Sequence, residues 1–459
     1  MSSIAEKLTT LLGDDLVTPQ ADIPPHYRTD WSEIPGQQPA ALVRPRSTAD
    51  VQKTLQYCHQ QRITVVPQGG RTGLAGSATV IRPDCIVLSM ERMHHIEALD
   101  TQADTMLVQA GTTLEAVQQA AAAHGLLFGV DLGARGSCQI GGAVATNAGG
   151  NGVLQHGMMR DQVLGLEVVL ADGTVLPMLR PMIKNNTGYD LKHFFIGSEG
   201  TLGVITRVLL RLFPAPQARL TALIALPDYA AALALLSQLK QHFPAGVAAF
   251  ELMWQDFWHW SLAHQHLKPP FEKDHPFYAL IDLSGNNTQS LQSGLEQLLA
   301  SAFENGLIQD ATIAQSQTQA QALWKIREAT AEFFAGMHPP INFDVSVPIT
   351  QIGAFADACT SALAARWPGH VTVRFGHVGD SNLHLSTDGA HIDGSDEEVE
   401  QLIYQTVADF GGSVSAEHGI GLHKKAYLGA SRTEQELATM KLIKQALDPL
   451  HILNPGKIF

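Results

Sequence analysis

Along the first 215 or so residues, short β-branched runs alternate with alanine-rich stretches of helical period. The opening MSSIAEKLTTLLGDD has the spacing of a short amphipathic helix. Ala40–Pro45 and Ile63–Pro67 read as strands on either side of a helix over Thr48–Gln61. A second helix, Glu115–His124, is entered at Thr112–Thr113 and stopped by Gly125, the expected start and stop signals. The apolar run Leu164–Leu170 ends in Ala171-Asp172-Gly173, a hairpin turn into Thr174–Leu179. Pro214-Ala215-Pro216 breaks the pattern.

Beyond that break the alternation resumes with longer polar spacers. Strands are expected at Arg219–Leu226, Ala248–Leu252, Tyr278–Leu283, Phe343–Val347, Val371–Phe375 and Leu383–Ser386. Helices are expected at Ala230–His242, Leu291–Asn305, Gln315–Phe334, Ile352–Arg366 and Thr433–Leu447, with Asp448–Phe459 as a tail. The fold class this predicts is α+β, in two domains or three: residues 1–215, residues 216–415 with a mostly antiparallel sheet, and a closing segment 416–459.

Composition narrows the class. The chain has 459 residues, 45% hydrophobic and 16% charged, with no run of 18 apolar residues, as expected of a soluble enzyme without a transmembrane segment. A net charge of −14 argues against nucleic acid or an anionic membrane as partner. Cys58, Cys85, Cys138 and Cys359 are scattered without a C-x-x-C, which fits a reducing cytoplasm and no disulfide framework. The N-terminus lacks the basic and apolar regions of a signal peptide.

Two glycine-rich segments carry the first chemistry. Pro67–Ser77 (PQGGRTGLAGS) follows the run Ile63–Val66, and Leu132–Gly157 follows about 60 residues later. Neither is a P-loop nor the G-x-G-x-x-G of a dinucleotide fold. A strand delivering the chain into a loop of bare N–H groups still makes an anion cradle. Gly69, Gly70, Gly73 and Gly76 would let that backbone approach a ligand where a Cβ would clash. The second constellation is Arg374–Leu385, RFGHVGDSNLHL. If Gly379–Asn382 closes a hairpin, Val378 faces Leu383 and His377 faces His384, on one sheet face. Two imidazoles so placed can grip a divalent ion, and Glu417, beside His418, is the candidate third ligand. A pair of hairpin histidines with ordinary partners is the plain alternative.

These segments resemble a flavoprotein family, the FAD-linked D-2-hydroxy-acid dehydrogenases, whose FAD domain is shared with vanillyl-alcohol oxidase and p-cresol methylhydroxylase. The resemblance spans nearly the whole chain and continues through Leu164–Pro177, NNTGYDLKHFFIGSEGTLGVIT (Asn185–Thr206), SAEHGIG (Ser415–Gly421) and the ending LNPGKIF. It implies a two-subdomain FAD-binding domain over 1–215, a substrate- and metal-binding domain over 216–415, and a last segment returning to the FAD domain. It assigns the FAD diphosphate to Pro67, Gly69, Gly70, Arg71, Thr72, Gly73, Leu74, Gly76 and Ser77. The adenosine and ribityl portion falls to Gly136, Ser137, Ile140, Gly141, Gly142, Thr146, Asn147, Gly149 and Gly150. Gly203, Val204 and Ile205 approach by backbone, and Asn454 contacts the flavin ring. The first loop has no His or Cys for a covalent link, so FAD is expected to be held non-covalently.

The same resemblance makes His377, His384 and Glu417 ligands of zinc or manganese, Arg327 the anchor of the substrate carboxylate, and His418 the base. The implied reaction takes hydride from C2 of a D-2-hydroxy acid to flavin N5 while His418 takes the hydroxyl proton, giving the 2-oxo acid. Electrons then leave to an electron-transfer flavoprotein or a quinone, since no NAD fingerprint is present. A homodimer fits the family.

In wording the motifs come nearest to the D-2-hydroxyglutarate dehydrogenases, yet the pocket departs from them. Ala331 stands where those enzymes have Thr and D-lactate dehydrogenases have Trp; Asn342 replaces a Lys, and Ser386 replaces an Asn. A second carboxylate finds fewer anchors here unless His338 or Lys325 substitutes, and an unpaired buried carboxylate costs several kcal/mol. The expected acid therefore has a less charged or larger tail. Two other classes stay open: a metal-dependent hydrolase using the two histidines and Glu417, and a flavin subunit of a glycolate-oxidase-like complex.

Overall fold

In the computed structural model, which describes residues 3–329, 333–392, 394 and 396–459, the chain forms two compact units. The first comprises Met1–Gly150, His156–Ala215 and Glu417–Phe459; the second comprises Asn151–Gln155 and Pro216–Ala416.

Among the described residues the first unit holds two larger sheets, one for each half of its sequence pattern, and a two-stranded one pairing Leu126–Leu127 with Phe213–Pro214. Parallel strands Ala41–Val43, Ile86–Ser89 and Val65–Gln68 form the first of the larger two, with Val17–Pro19 antiparallel at its edge. The parallel pairing needs a crossover, and the helix Thr48–Gln61 supplies one. Ser47 and Asp50 close a reciprocal capping box at its start, and Val51, Leu55 and Cys58 bury one stripe. The second sheet is antiparallel, in the order Ile96–Asp100, Thr105–Gln109, Val204–Arg211, Val163–Val169, Val175–Met178. Its inner face joins a single core that includes Val108, Leu166, Val168 and Val208.

The second unit is built on one seven-stranded antiparallel sheet. Its order is Asp310–Ile313, Ala218–Leu226, Phe277–Gly285, Val247–Trp254, Thr372–Gly376, Asn382–Asp388, Pro340–Ser346. The helices Tyr229–His242 and Ile352–Arg366 lie where the periodicity predicts them.

The predicted helix Gln315–Phe334 is a correction. The helix runs Gln317–Arg327 and ends there, with a separate turn at Phe333–Gly336. Glu328, at ψ 18°, leaves the helical path just after the buried Arg327, a case of tertiary context overriding helix propensity. Ala331 lies outside the described residues. No described helix is long and apolar enough to cross a membrane.

Candidate active site

In the first unit the two glycine segments meet backbone to backbone. A Cβ on Gly69 would touch Gly142 at 3.5 Å, and one on Gly70 would fall 2.8 Å from the Ser137 carbonyl carbon and closer still to its oxygen. Gly150, at φ +90°, abuts the Asp131 carbonyl in the same way. Arg71 stands at φ 59°, its guanidinium 4.6 Å over the Tyr27 ring. Its Nη1 is buried without a hydrogen-bond partner, as are Gln139 Oε1 and Asn454 Oδ1. Bare backbone, an arginine and orphaned polar atoms around one seam are what a dinucleotide diphosphate requires, so FAD fits these residues.

The other residues assigned to the cofactor frame that seam. Gly73 approaches Asp30, Gly76 stands at φ 80° against Ile34, and Gly136 faces Glu115. Leu74 is exposed and Pro67 packs under Gly200. Burial pushes the pKa of the Cys138 thiol up to about 11, with Thr72 opposing the shift. At the start of the helix Ile140–Ala145 the N–H groups of Ile140 and Gly141 donate to Thr112 O and Ala110 O, and the Thr146 hydroxyl donates to Gly142 O. Gly149 precedes the Gly150 approach, and Gly203 packs on Val168 and Phe195 ahead of the buried Val204 and Ile205. Asn147 turns its side chain to the Arg160 N–H and the Met158 sulfur.

One buried carboxylate, missed by motif reading, ties this seam to the chain's end. Glu199 (φ 51°) accepts from the Ser77 hydroxyl and from the N–H groups of Ile420 and Gly421, both at 2.8 Å. Burial pushes its pKa up. Asn454 donates to the carbonyls of Ser77 and Glu199 at 2.9 and 2.7 Å. His418 therefore sits two residues before an anchored turn. Glu417 Oε1 accepts from Gly150 N–H at 2.9 Å.

The tail is held by buried lysines. Lys444 donates to Thr201 O, Leu453 O and Asp448, and Lys457 donates to Thr79 O at 2.7 Å. Burial lowers the Lys457 pKa from 10.5 to about 8. Below pH 8 the cost of burying that cation is fully present, and it is relieved as pH rises toward 10.5. Thermal unfolding of wild type and Lys457→Met should therefore show wild type gaining on the variant between pH 7 and 10. The gap from about 8 to 10.5 bounds the gain at about 3 kcal/mol. A difference independent of pH counts against the shifted lysine.

In the second unit the histidine hairpin forms, but in a different register. Phe375 pairs with His384, whereas the expected partner of His384 is His377. The turn is a tight helical turn over Val378–Asp380 followed by Ser381 at φ 78°, which moves the closing pair to His377 and Asn382. The histidines become diagonal neighbours on the same face, with ring centroids 5.5 Å apart at 78°.

Each histidine is backed by a buried acid directly across the sheet. Asp344 pairs with His384 in the ladder, with Nδ1 and Oδ1 4.0 Å apart, and accepts from Asn382 at 2.8 Å. Glu251, on the Val247–Trp254 strand, accepts from His377 Nδ1 at 2.6 Å and from Arg327 Nε at 2.7 Å. Desolvation alone would raise the Glu251 pKa, but His377 and Arg327 reverse this and hold it at about 2. The Arg327 guanidinium also stacks 4.6 Å over Phe375, and its Nη2 lies 3.4 Å from His377 Nε2. A histidine whose Nδ1–H is held by a carboxylate carries its lone pair on Nε2, the usual preparation of a metal ligand. Ser386, buried, donates to the exposed Asn342 at 2.7 Å one pleat further on. Lys325, two residues and about 200° around the helix from Arg327, is exposed.

Residues 39–178 match the FAD binding domain family, and residues 215–458 match the FAD linked oxidases, C-terminal domain. A D-2-hydroxyglutarate dehydrogenase of Xanthomonas citri pv. viticola is 38% identical over 450 residues, covering 97% of this chain and 94% of that protein. This chain belongs to the FAD-linked D-2-hydroxy-acid dehydrogenases. The mitochondrial D-2-hydroxyglutarate dehydrogenase of Bos taurus is also 38% identical, over 97% of this chain and 81% of its own length. Among solved structures, substrate-bound p-cresol methylhydroxylase superposes with a TM-score of 0.75 at 17% identity, covering 99% of this chain and 96% of its own. The chain is thus an FAD-dependent oxidoreductase with that flavoprotein fold.

Proposed function

We propose that the chain oxidises a D-2-hydroxy acid to its 2-oxo acid at a site where His377, His384 and Glu417 hold a divalent ion, zinc or manganese. The observation that carries this reading is the single sheet face on which two acid-backed histidines lie beside a buried arginine. Glu417 follows by one peptide link from Ala416, whose N–H bonds Asp344 O at 3.3 Å, and all three residues offer a ligand atom.

Arg327 commits Nε to Glu251 and has Nη2 3.4 Å from His377 Nε2, and its guanidinium serves the substrate carboxylate. His418 takes the 2-hydroxyl proton as general base. When bound, FAD supplies the two-electron acceptor and the ion supplies Lewis acidity at the hydroxyl. Loss of that proton and of the C2 hydrogen with its electron pair leaves the 2-oxo acid. For the onward acceptor we propose an electron-transfer flavoprotein or a quinone. For the compartment we propose the cytoplasm, in keeping with four buried free thiols.

For the tail of the acid we propose fewer charges than hydroxyglutarate carries. Asn342 and Ser386 bond each other, and Lys325 points away from the Arg327 side of its helix. The names of the relatives favour D-2-hydroxyglutarate as a second reading.

Anaerobic bleaching of the bound flavin by a panel of D- and L-2-hydroxy acids, with and without chelator, tests both. D-acids should bleach, L-acids should not, and the chelator should stop the reaction. Steady-state preference for hydroxyglutarate over every monocarboxylate by more than about tenfold, or about 1.4 kcal/mol, overturns the pocket argument.

A further inference from the structure

We infer that Glu251 is a positioning residue serving two masters: it sets the metal-accepting tautomer of His377 and aims Arg327 at the substrate. The inference rests on the metal reading above and adds to it a dependence of ion affinity on the arginine.

Leu252 pairs with Gly376 across the sheet, so Glu251 stands opposite His377, and the helix ending at Arg327 brings the guanidinium to the same carboxylate. Its two oxygens are divided, Oε1 to His377 Nδ1 and Oε2 to Arg327 Nε. Both neighbours are donors, and only a carboxylate gives each of them an acceptor oxygen of its own. Because Oε1 only accepts, the proton of a neutral His377 sits on Nδ1 and Nε2 keeps its lone pair.

Glutamine has one acceptor oxygen and one donor nitrogen. If its carbonyl turns to Arg327, its NH2 meets His377 Nδ1 and forces the Nε2–H tautomer, which cannot ligate. If the carbonyl turns to His377, the NH2 presses donor to donor on Arg327. A hydrogen bond to the permanent cation is the stronger, so the arginine takes the carbonyl. Removing the arginine returns that carbonyl to the histidine.

Equilibrium dialysis with zinc alone, on FAD-loaded protein stripped of metal, separates the cases. Glu251→Gln should weaken zinc binding by about 10- to 100-fold. Arg327→Met, which also removes the Nη2 that lies 3.4 Å from His377 Nε2, should bind zinc at least as tightly as wild type while raising KM, and Glu251→Gln/Arg327→Met should recover at least wild-type affinity. A merely structural glutamate would weaken binding equally in the single and double variants, and that result overturns the inference. So does wild-type affinity in Glu251→Gln. Should Glu251→Gln fail to fold, the double variant, which lacks the uncompensated cation, carries the test, and a tenfold loss there overturns the idea. Wild type binding zinc no better than His384→Ala would overturn the metal reading and this inference together.

Discussion

His384→Ala should lower kcat/KM by about 10³-fold or more and abolish stoichiometric divalent metal, while FAD content stays at wild-type level. The magnitude follows from the several kcal/mol that a Lewis acid contributes where negative charge develops on oxygen, about 4 kcal/mol for 10³. The direction follows from the local structure. His384 lies in mid-strand with its backbone paired to Asp344 on one side and Phe375 on the other, so alanine leaves the ladder intact. The residues assigned to the flavin all belong to the other unit, which alanine at this position does not alter. Metal analysis and steady-state kinetics on the same preparation make the comparison. Turnover that falls while the metal stays bound would make His384 a substrate contact, and unchanged turnover would remove the ion from the reaction.

What the sequence pattern revealed, and what it hid, divides along range. Helices such as the capped Thr48–Gln61 and the apolar-spaced Ile352–Arg366 were legible because caps and spacing are local. So was the pairing of two histidines on one face, which needs only a turn between them. The register slipped because Ser381 adopts a left-handed φ of 78°, a conformation that Asp or Asn signals better than Ser does. Glu251 was invisible: it sits in VAAFELMW, a buried strand with no motif, 126 residues from the histidine it orients. Nothing in a spacing specifies which strands become neighbours, and four strands from three distant segments meet here. Arg327 was found by resemblance, but its partner was not. Lys444 and Asp448 carried no more signal than Glu251 did. An i,i+4 pair on a helix normally reads as a solvated salt bridge, yet these two are buried and tie down Leu453 ahead of Asn454.

Gly70→Ala should yield colourless protein, or protein with FAD content reduced at least about tenfold, without touching any residue proposed for metal or substrate. The expectation depends on what surrounds one hydrogen atom. The new Cβ would lie 2.8 Å from the Ser137 carbonyl carbon, nearer to its oxygen, and 3.1 Å from Cys138 Cα. All of these are backbone, so no rotamer can relieve the overlap, and one glycine segment must move away from the other. Real Cβ atoms do not occupy such distances, and overpacking of this kind costs about 1–3 kcal/mol or more even where side chains can yield. The movement opens the seam that aligns the N–H groups of the first loop with the second, and a diphosphate bound by many weak donors loses several at once. Gly133→Ala, where nothing lies within 4 Å of the added methyl, is the matched control and should retain flavin. Absorbance of purified protein and FAD titration of the apoprotein read the difference. Equal flavin occupancy in the two variants would show that the seam between the glycine segments is not where the dinucleotide is held.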